Sequence, residues 1–188
     1  MSANYRNPNW LLPNELNQSI NPSLSESRKS LYSMNFNGTD ESIVVNNSSV
    51  TQFPRNEPYS VSFWINASTF ILNSKGIMGN GNFANAVYAK TTYASGVWGF
   101  GWYMAGRAGW GDQLVVSTGN TLVANTWYHV CITYNGNALA SGLKMYIDYS
   151  NVYNGTGALN YSDPVTNNND WYIARNGPSG IHFPGKID

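Results

Sequence analysis

Asn125-Thr-Trp-Tyr-His-Val-Cys-Ile-Thr-Tyr-Asn-Gly136, followed by Leu143-Lys-Met-Tyr-Ile-Asp148, decides the fold class of this chain. Val130, Ile132 and Tyr134 alternate along the first run, and Leu143, Met145 and Ile147 along the second. Successive side chains of a strand point to opposite faces, so each run reads as a strand with one buried face. A polar, glycine-containing connection joins the two.

Working outward, the same grammar continues. Val97 to Ala105 sets Trp98, Phe100, Trp102 and Met104 on one face, where a core role is expected, with Gly99 and Gly101 on the other. Tyr59, Val61, Phe63 and Ile65 share a face of another run. Tyr32, Met34 and Phe36 alternate ahead of an Asn37-Gly38 turn, and Ile43-Val-Val45 follows. Gly76-Ile-Met78, Gln113 to Ser117, Trp171 to Arg175 and Gly185 to Asp188 add short strands, and the weakly patterned segment 84–92 fits a strand or a loop. No run of useful length has helical period. Many short strands between turn signals from Leu31 onward predict an all-β sandwich, jelly roll or barrel.

Composition agrees. Aromatics reach 14% and charged residues only 11%, against a usual quarter, so solubility rests on Asn, Ser, Thr and Gly. Ten acidic residues balance ten basic ones, which excludes a long-range field drawing in nucleic acid or an anionic membrane. The single cysteine, Cys131, permits no internal disulfide and is expected as a small buried hydrophobe. The start lacks a signal-peptide pattern, and no apolar stretch approaches membrane-spanning length. A soluble protein made in a reducing compartment is expected.

Residues 1–30 differ from the rest. Asparagines recur among Pro8, Pro13 and Pro22, which rules out a continuous helix and withholds ladder donors. Trp10-Leu11-Leu12 is the one apolar knot. A flexible tail is one reading; the other is an irregular N-terminal arm that docks Trp10, Leu11 and Leu12 on another subunit. An exposed Trp-Leu-Leu without a partner is an aggregation hazard, which favours the arm.

In order along the chain, Phe36-Asn-Gly38, Tyr59 to Ile65, Lys75-Gly76, Trp127-Tyr-His-Val with Tyr134-Asn-Gly136, Met145 to Asp148, Trp171 to Arg175 and Phe183 to Asp188 resemble the laminin-G-like, concanavalin A-like jelly roll. The resemblance implies an all-β, antiparallel two-sheet jelly-roll sandwich over residues 31–188, a binding and display scaffold, and a buried Trp in the 59–65 strand. Two features depart from it. Such domains place Asp-Gly after the 143–148 strand, whereas Tyr149 follows Asp148 here. They also run on past Gly-x-Ile-Asp into a last strand, so either the chain is a fragment or a neighbouring strand keeps an open edge for a partner. Asn9-Trp-Leu-Leu-Pro-Asn-Glu15 ahead of such a domain resembles virion proteins of tailed phages.

Catalysis finds little support. Glycoside hydrolysis needs two carboxylates across the scissile bond, yet Glu15, Glu26, Glu41 and Glu57 all lie early and the later Asp residues are single. His129 and Cys131 share a strand face, a weak coincidence for nucleophilic chemistry. No residue is assigned a catalytic or metal-ligating role, and no cofactor is expected; calcium on Asp112, Asp163 and Asp170 lacks a dense acidic loop. Candidate glycan contacts are Arg107, Trp110 and Asp112 in one loop and Asn168 and Asp170 in another, where an exposed Trp would stack a sugar and polar groups take its hydroxyls. Ordinary polar turns are the competing explanation.

The expectation is therefore a non-enzymatic virion structural protein, as capsid decoration, fibre or tail-associated component, assembled in the host cytoplasm. Its partners would be other virion proteins, further copies of itself, and host or environmental glycans, with neither nucleic acid nor membrane. A free, extracellular carbohydrate-binding lectin is the alternative, and a glycoside hydrolase ranks behind both.

Overall fold

The computed structural model describes residues 33–47, 53, 56–69, 75–81, 86–94, 97–105, 113–117, 122–154, 169–178 and 180–188. Trp10, Leu11, Leu12, Arg107, Trp110, Asp112, Asp163 and Asn168 lie outside the described residues. The chain divides into two units, Met1–Ser33 and Met34–Asp188, and the second carries every strand below.

The described residues of that unit form two six-stranded antiparallel sheets. The first contains β1 (Met34–Asn37), β12 (Pro184–Ile187), β3 (Pro58–Ala67), β8 (Trp127–Asn135), β9 (Leu143–Ile147) and β10 (Ser150–Asn154), in that spatial order. The second runs β2 (Ile43–Val45), β11 (Trp171–Ile173), β4 (Gly76–Gly79), β5 (Ala86–Ala94), β6 (Val97–Ala105) and β7 (Gln113–Ser117). Segment 84–92 thus resolves largely into β5. No described helix is long and apolar enough to cross a membrane.

Alternation explains why the sheets stack. Val130, Ile132 and Tyr134 of β8 face Leu143, Met145 and Ile147 of β9 in register, and all six are buried. Phe100, Trp102 and Met104 of β6 meet them from the second sheet in one apolar cluster. Each such side chain stabilises the fold by roughly 1.5–3 kcal/mol when withdrawn from water. Trp102 Nε1 donates to Tyr59 Oη at 3.1 Å, and that hydroxyl donates to Met104 Sδ at 3.1 Å, so the buried polar atoms are satisfied across the sheets. Phe53, unremarked in the sequence, sets its ring 4.9 Å from Tyr59 and 4.8 Å from Trp171.

One strand end differs from expectation. Met34 shares the parity of Phe36 but is exposed at the start of an edge strand. The segment at Gly185–Asp188 supplies β12, which is paired on both sides, by β1 and β3. Gly185 takes φ 140° there, and a Cβ would stand 2.2 Å from the Asn66 carbonyl oxygen.

Candidate functional site

The parity that buries Phe63 and Ile65 turns Ser60, Ser62, Trp64 and Asn66 to the outer face of the first sheet. On β8 the outward set is Trp127, His129, Cys131 and Thr133, and on β9 Lys144 and Tyr146. Register joins them into rows: Asn66 beside Trp127, Trp64 beside His129, and Ser62 beside Cys131 and then Tyr146. Among the described residues no other outer face gathers so many half-buried aromatics beside hydroxyl and amide groups.

The Trp64 row is extended by an unusual turn. Ile147 pairs with Ser150, so Asp148 and Tyr149 form a two-residue hairpin turn with φ 47° and 67°. Both central residues of such a turn need positive φ, which is why Asp-Gly suits it and a bulky residue is strained. Tyr149 nevertheless occupies the second position, 71% exposed. Its ring centroid lies 5.4 Å from that of His129 at 32°, and His129 lies 5.0 Å from Trp64 at 44°. Trp64, His129 and Tyr149 therefore form one continuous aromatic row.

Hydrogen bonds hold the middle of the row. Ser62 Oγ and His129 Nε2 are 2.7 Å apart. Asp148 Oδ1 accepts the His129 backbone N–H at 2.8 Å, and Asp148 N–H donates to the His129 carbonyl at 2.9 Å. Trp64 exchanges backbone bonds with Asp188 at 2.9 and 3.1 Å.

Ser62, His129 and Asp148 are the residue types of a nucleophilic triad, but the roles are distributed differently. A triad carboxylate orients the imidazole through its second ring nitrogen, whereas the bonded oxygen of Asp148 holds the His129 main chain. Asp188 follows β12 at one end of the row and Asp148 follows β9 at the other, and the Asp148 carboxylate reaches back to the β8 main chain. The arrangement suits stacking against a flat partner.

Of the residues singled out in the sequence, Asp170 is elsewhere. It precedes β11 in the second sheet and accepts the Asn47 backbone N–H at 2.9 Å, while Asn169 donates to the Asn80 carbonyl at 3.1 Å. No group of three or more His, Cys, Asp and Glu able to hold a metal occurs among the described residues. Two expectations need correction. Trp64 is half-buried on the outer face, and the buried partners on its strand are Phe63 and Ile65. Cys131 is likewise half-buried on that outer face, because β8 commits the opposite parity to the core. Strand parity alone signals both positions.

Comparison with known proteins places this geometry in context. Residues 37–188 match Laminin_G_3, the concanavalin A-like lectin/glucanases superfamily. Domain 4 of AbnA, a GH43 extracellular arabinanase from Geobacillus stearothermophilus solved with arabinotriose, is similar with a TM-score of 0.57. Its identity is 18%, over 83% of this chain and 67% of that one. The native heptameric SAP-like pentraxin of Limulus polyphemus is similar with a TM-score of 0.51 and 12% identity, over 78% of this chain and 72% of that one. Comparison with curated protein sequences gives no match. These likenesses concern the fold, and with the family match over residues 37–188 they lead to one assignment: the chain belongs to the concanavalin A-like lectin/glucanases superfamily.

Proposed function

We propose that this domain is a non-catalytic module that binds glycans on the outer face of its first sheet. The observation carrying the reading is Tyr149. A strained backbone position is occupied by an exposed aromatic in line with His129 and Trp64, and such strained positions cluster at functional sites. Sugar rings present C–H faces to such aromatics and hydroxyls to their rim, where Asn66, Lys144 and Tyr146 stand. The lectins named in the family description and the arabinotriose held by the arabinanase domain support the ligand class.

The setting proposed is a phage particle, with residues 1–30 as the attachment arm. The resemblance of the Trp10-Leu-Leu12 segment to virion proteins supports it. A free lectin would share the binding face and dispense with the arm.

Glycan-array binding by the intact chain, Trp64→Ala and Tyr149→Ala tests the site. Binding that falls at least about tenfold in both variants is expected, since a lost aromatic contact removes on the order of 1.4 kcal/mol. Binding untouched by both substitutions would remove the row from consideration. Turnover of an oligosaccharide would replace the reading with a hydrolytic one. Solution mass with and without residues 1–30 tests the arm, whose removal should dissociate an oligomer into folded monomers.

A further inference from the structure

A second polar cluster lies away from the aromatic row, where β11 turns into β12. Ala174 and Phe183 are fully buried and joined by a bond from Phe183 N–H to the Ala174 carbonyl, 2.8 Å. Their neighbours Arg175 and His182 are half-buried and carry buried nitrogens, Arg175 Nε and His182 Nε2, with no hydrogen-bond partner. Asn176 is only 8% exposed, and its Oδ1 is also unpartnered. Three orphaned polar atoms at one loop are unusual, because buried polar groups are nearly always bonded.

Backbone hydrogen bonds tie the described part of the loop to β4 and to itself. Gly76 N–H donates to the Ile181 carbonyl at 2.9 Å, Ala174 N–H to the Ile77 carbonyl at 2.7 Å, and Gly180 N–H to the Gly177 carbonyl at 3.0 Å. Gly76 and Gly180 leave room for Asn176, since a Cβ on either would stand 2.6 or 2.0 Å from its Oδ1. The Arg175 guanidinium carbon lies over the Tyr172 ring, 5.3 Å from its centre. The charges around His182 are Arg175, Lys75 and Asp40, two cations against one anion. Burial first, then Arg175 and Lys75, hold the His182 proton affinity below its ordinary value, with Asp40 acting the other way.

We propose that Arg175 and His182, backed by Lys75, form a site for one oxyanion group, the carboxylate of an acidic sugar or a phosphate, with Asn176 Oδ1 taking a hydroxyl of the same ligand. A guanidinium offers N–H donors in a fork that matches two oxygens of such a group. Imidazole supplies a further donor, and a hydroxylated ligand satisfies the acceptor that a bare anion leaves alone. The site does not depend on the Trp64 row, so either can fail without the other.

The chain has two histidines, His129 and His182, so imidazole proton resonances report the site directly. The intact protein is titrated with glucuronate, inorganic phosphate and, at matched ionic strength, chloride. A saturable shift at His182, absent at His129 and absent with chloride, is expected. Saturation should also raise the His182 pKa, because a bound anion favours imidazolium. Tighter binding of glucuronate than of phosphate identifies an acidic sugar; the reverse identifies a phosphate ligand. Arg175→Lys keeps the charge but loses the fork and should weaken binding at least about tenfold. Lys75→Ala, a milder change, should weaken it less. No saturable shift at His182, or equal shifts at both histidines, overturns the proposal, as does unchanged affinity in folded Arg175→Lys. Trp64→Ala should leave this titration as it is.

Discussion

Tyr149 faces His129 across 5.4 Å from a backbone at φ 67°, the second position of a tight turn after Asp148. Position and contact pull in opposite directions. A left-handed backbone costs a residue with a Cβ about 1–2 kcal/mol, and glycine avoids that cost. Tyr149→Gly should therefore raise the melting temperature by about 2–4 °C, the shift that roughly 1 kcal/mol produces in a domain of this size. The same substitution should weaken glycan binding. A calorimetric scan beside the array decides; a variant less stable than the parent would show that the Tyr149 ring stabilises the hairpin more than its backbone strains it.

Much of the architecture was legible because the core faces are written as strict alternation. Val130, Ile132 and Tyr134, with Leu143, Met145 and Ile147, are placed inward by their alternation alone, and all are buried. The outward aromatic row was only half legible. Parity opposite Phe63 turns Trp64 outward, and parity opposite Val130 does the same for His129. The expectation of a buried Trp in that strand came from family resemblance, which carried less information here than the alternation itself. What no local pattern contains is the register that sets Trp64 beside His129, residues 65 positions apart (129 minus 64). The Arg175–His182 pairing was hidden for a related reason: their meeting depends on how the loop between them folds back.

The hydroxyl of the half-buried Tyr59 accepts from Nε1 of Trp102, which is fully buried. Tyr59→Phe keeps the ring among Phe53, Trp102 and Tyr134 but leaves the indole N–H without its acceptor. An unsatisfied buried donor costs about 1–3 kcal/mol. The urea midpoint should fall accordingly with an unchanged slope, and an unchanged midpoint would mean that another acceptor reaches Trp102.

Tyr88 and Tyr103 stack at 4.7 Å and 5° between planes, with Lys90 Nζ 4.5 Å from the Tyr103 ring centre. Burial pushes the Tyr103 phenol up to about 12 and raises Tyr88 further, with Tyr103 adding to the effect. Phenols that hold protons more tightly when folded stabilise the fold below the unfolded value of 10.0, and the contribution vanishes as pH rises through about 12. Lys90 has the opposite sign: burial lowers its pKa, so its cost is present at neutral pH and is relieved as pH rises toward 10.5. Stability should thus hold or rise slightly up to pH 10 and fall steeply beyond it. Tyr88→Phe removes a buried hydroxyl that has no partner, so it should leave neutral-pH stability equal or higher by about 1 kcal/mol and shrink the alkaline loss. Melting curves of both proteins across this range check the signs.

Cys131 offers a direct test of which face meets the ligand. It sits on β8 two residues beyond His129, opposite Ser62 on one side and Tyr146 on the other. The thiol is half-buried on the outer face and free of any disulfide. A bulky maleimide attached there would cover the ground between Trp64 and Tyr146, whereas a methylthio group is little larger than a methionine side chain. The bulky adduct should abolish glycan binding, the small one should spare it, and Cys131→Ser should bind normally and resist the reagent. Labelled protein that keeps full affinity would move the glycan site off this sheet, because no ring could reach the Trp64 row past such a substituent. A loss of secondary structure on labelling would be seen by circular dichroism and would separate unfolding from blockade.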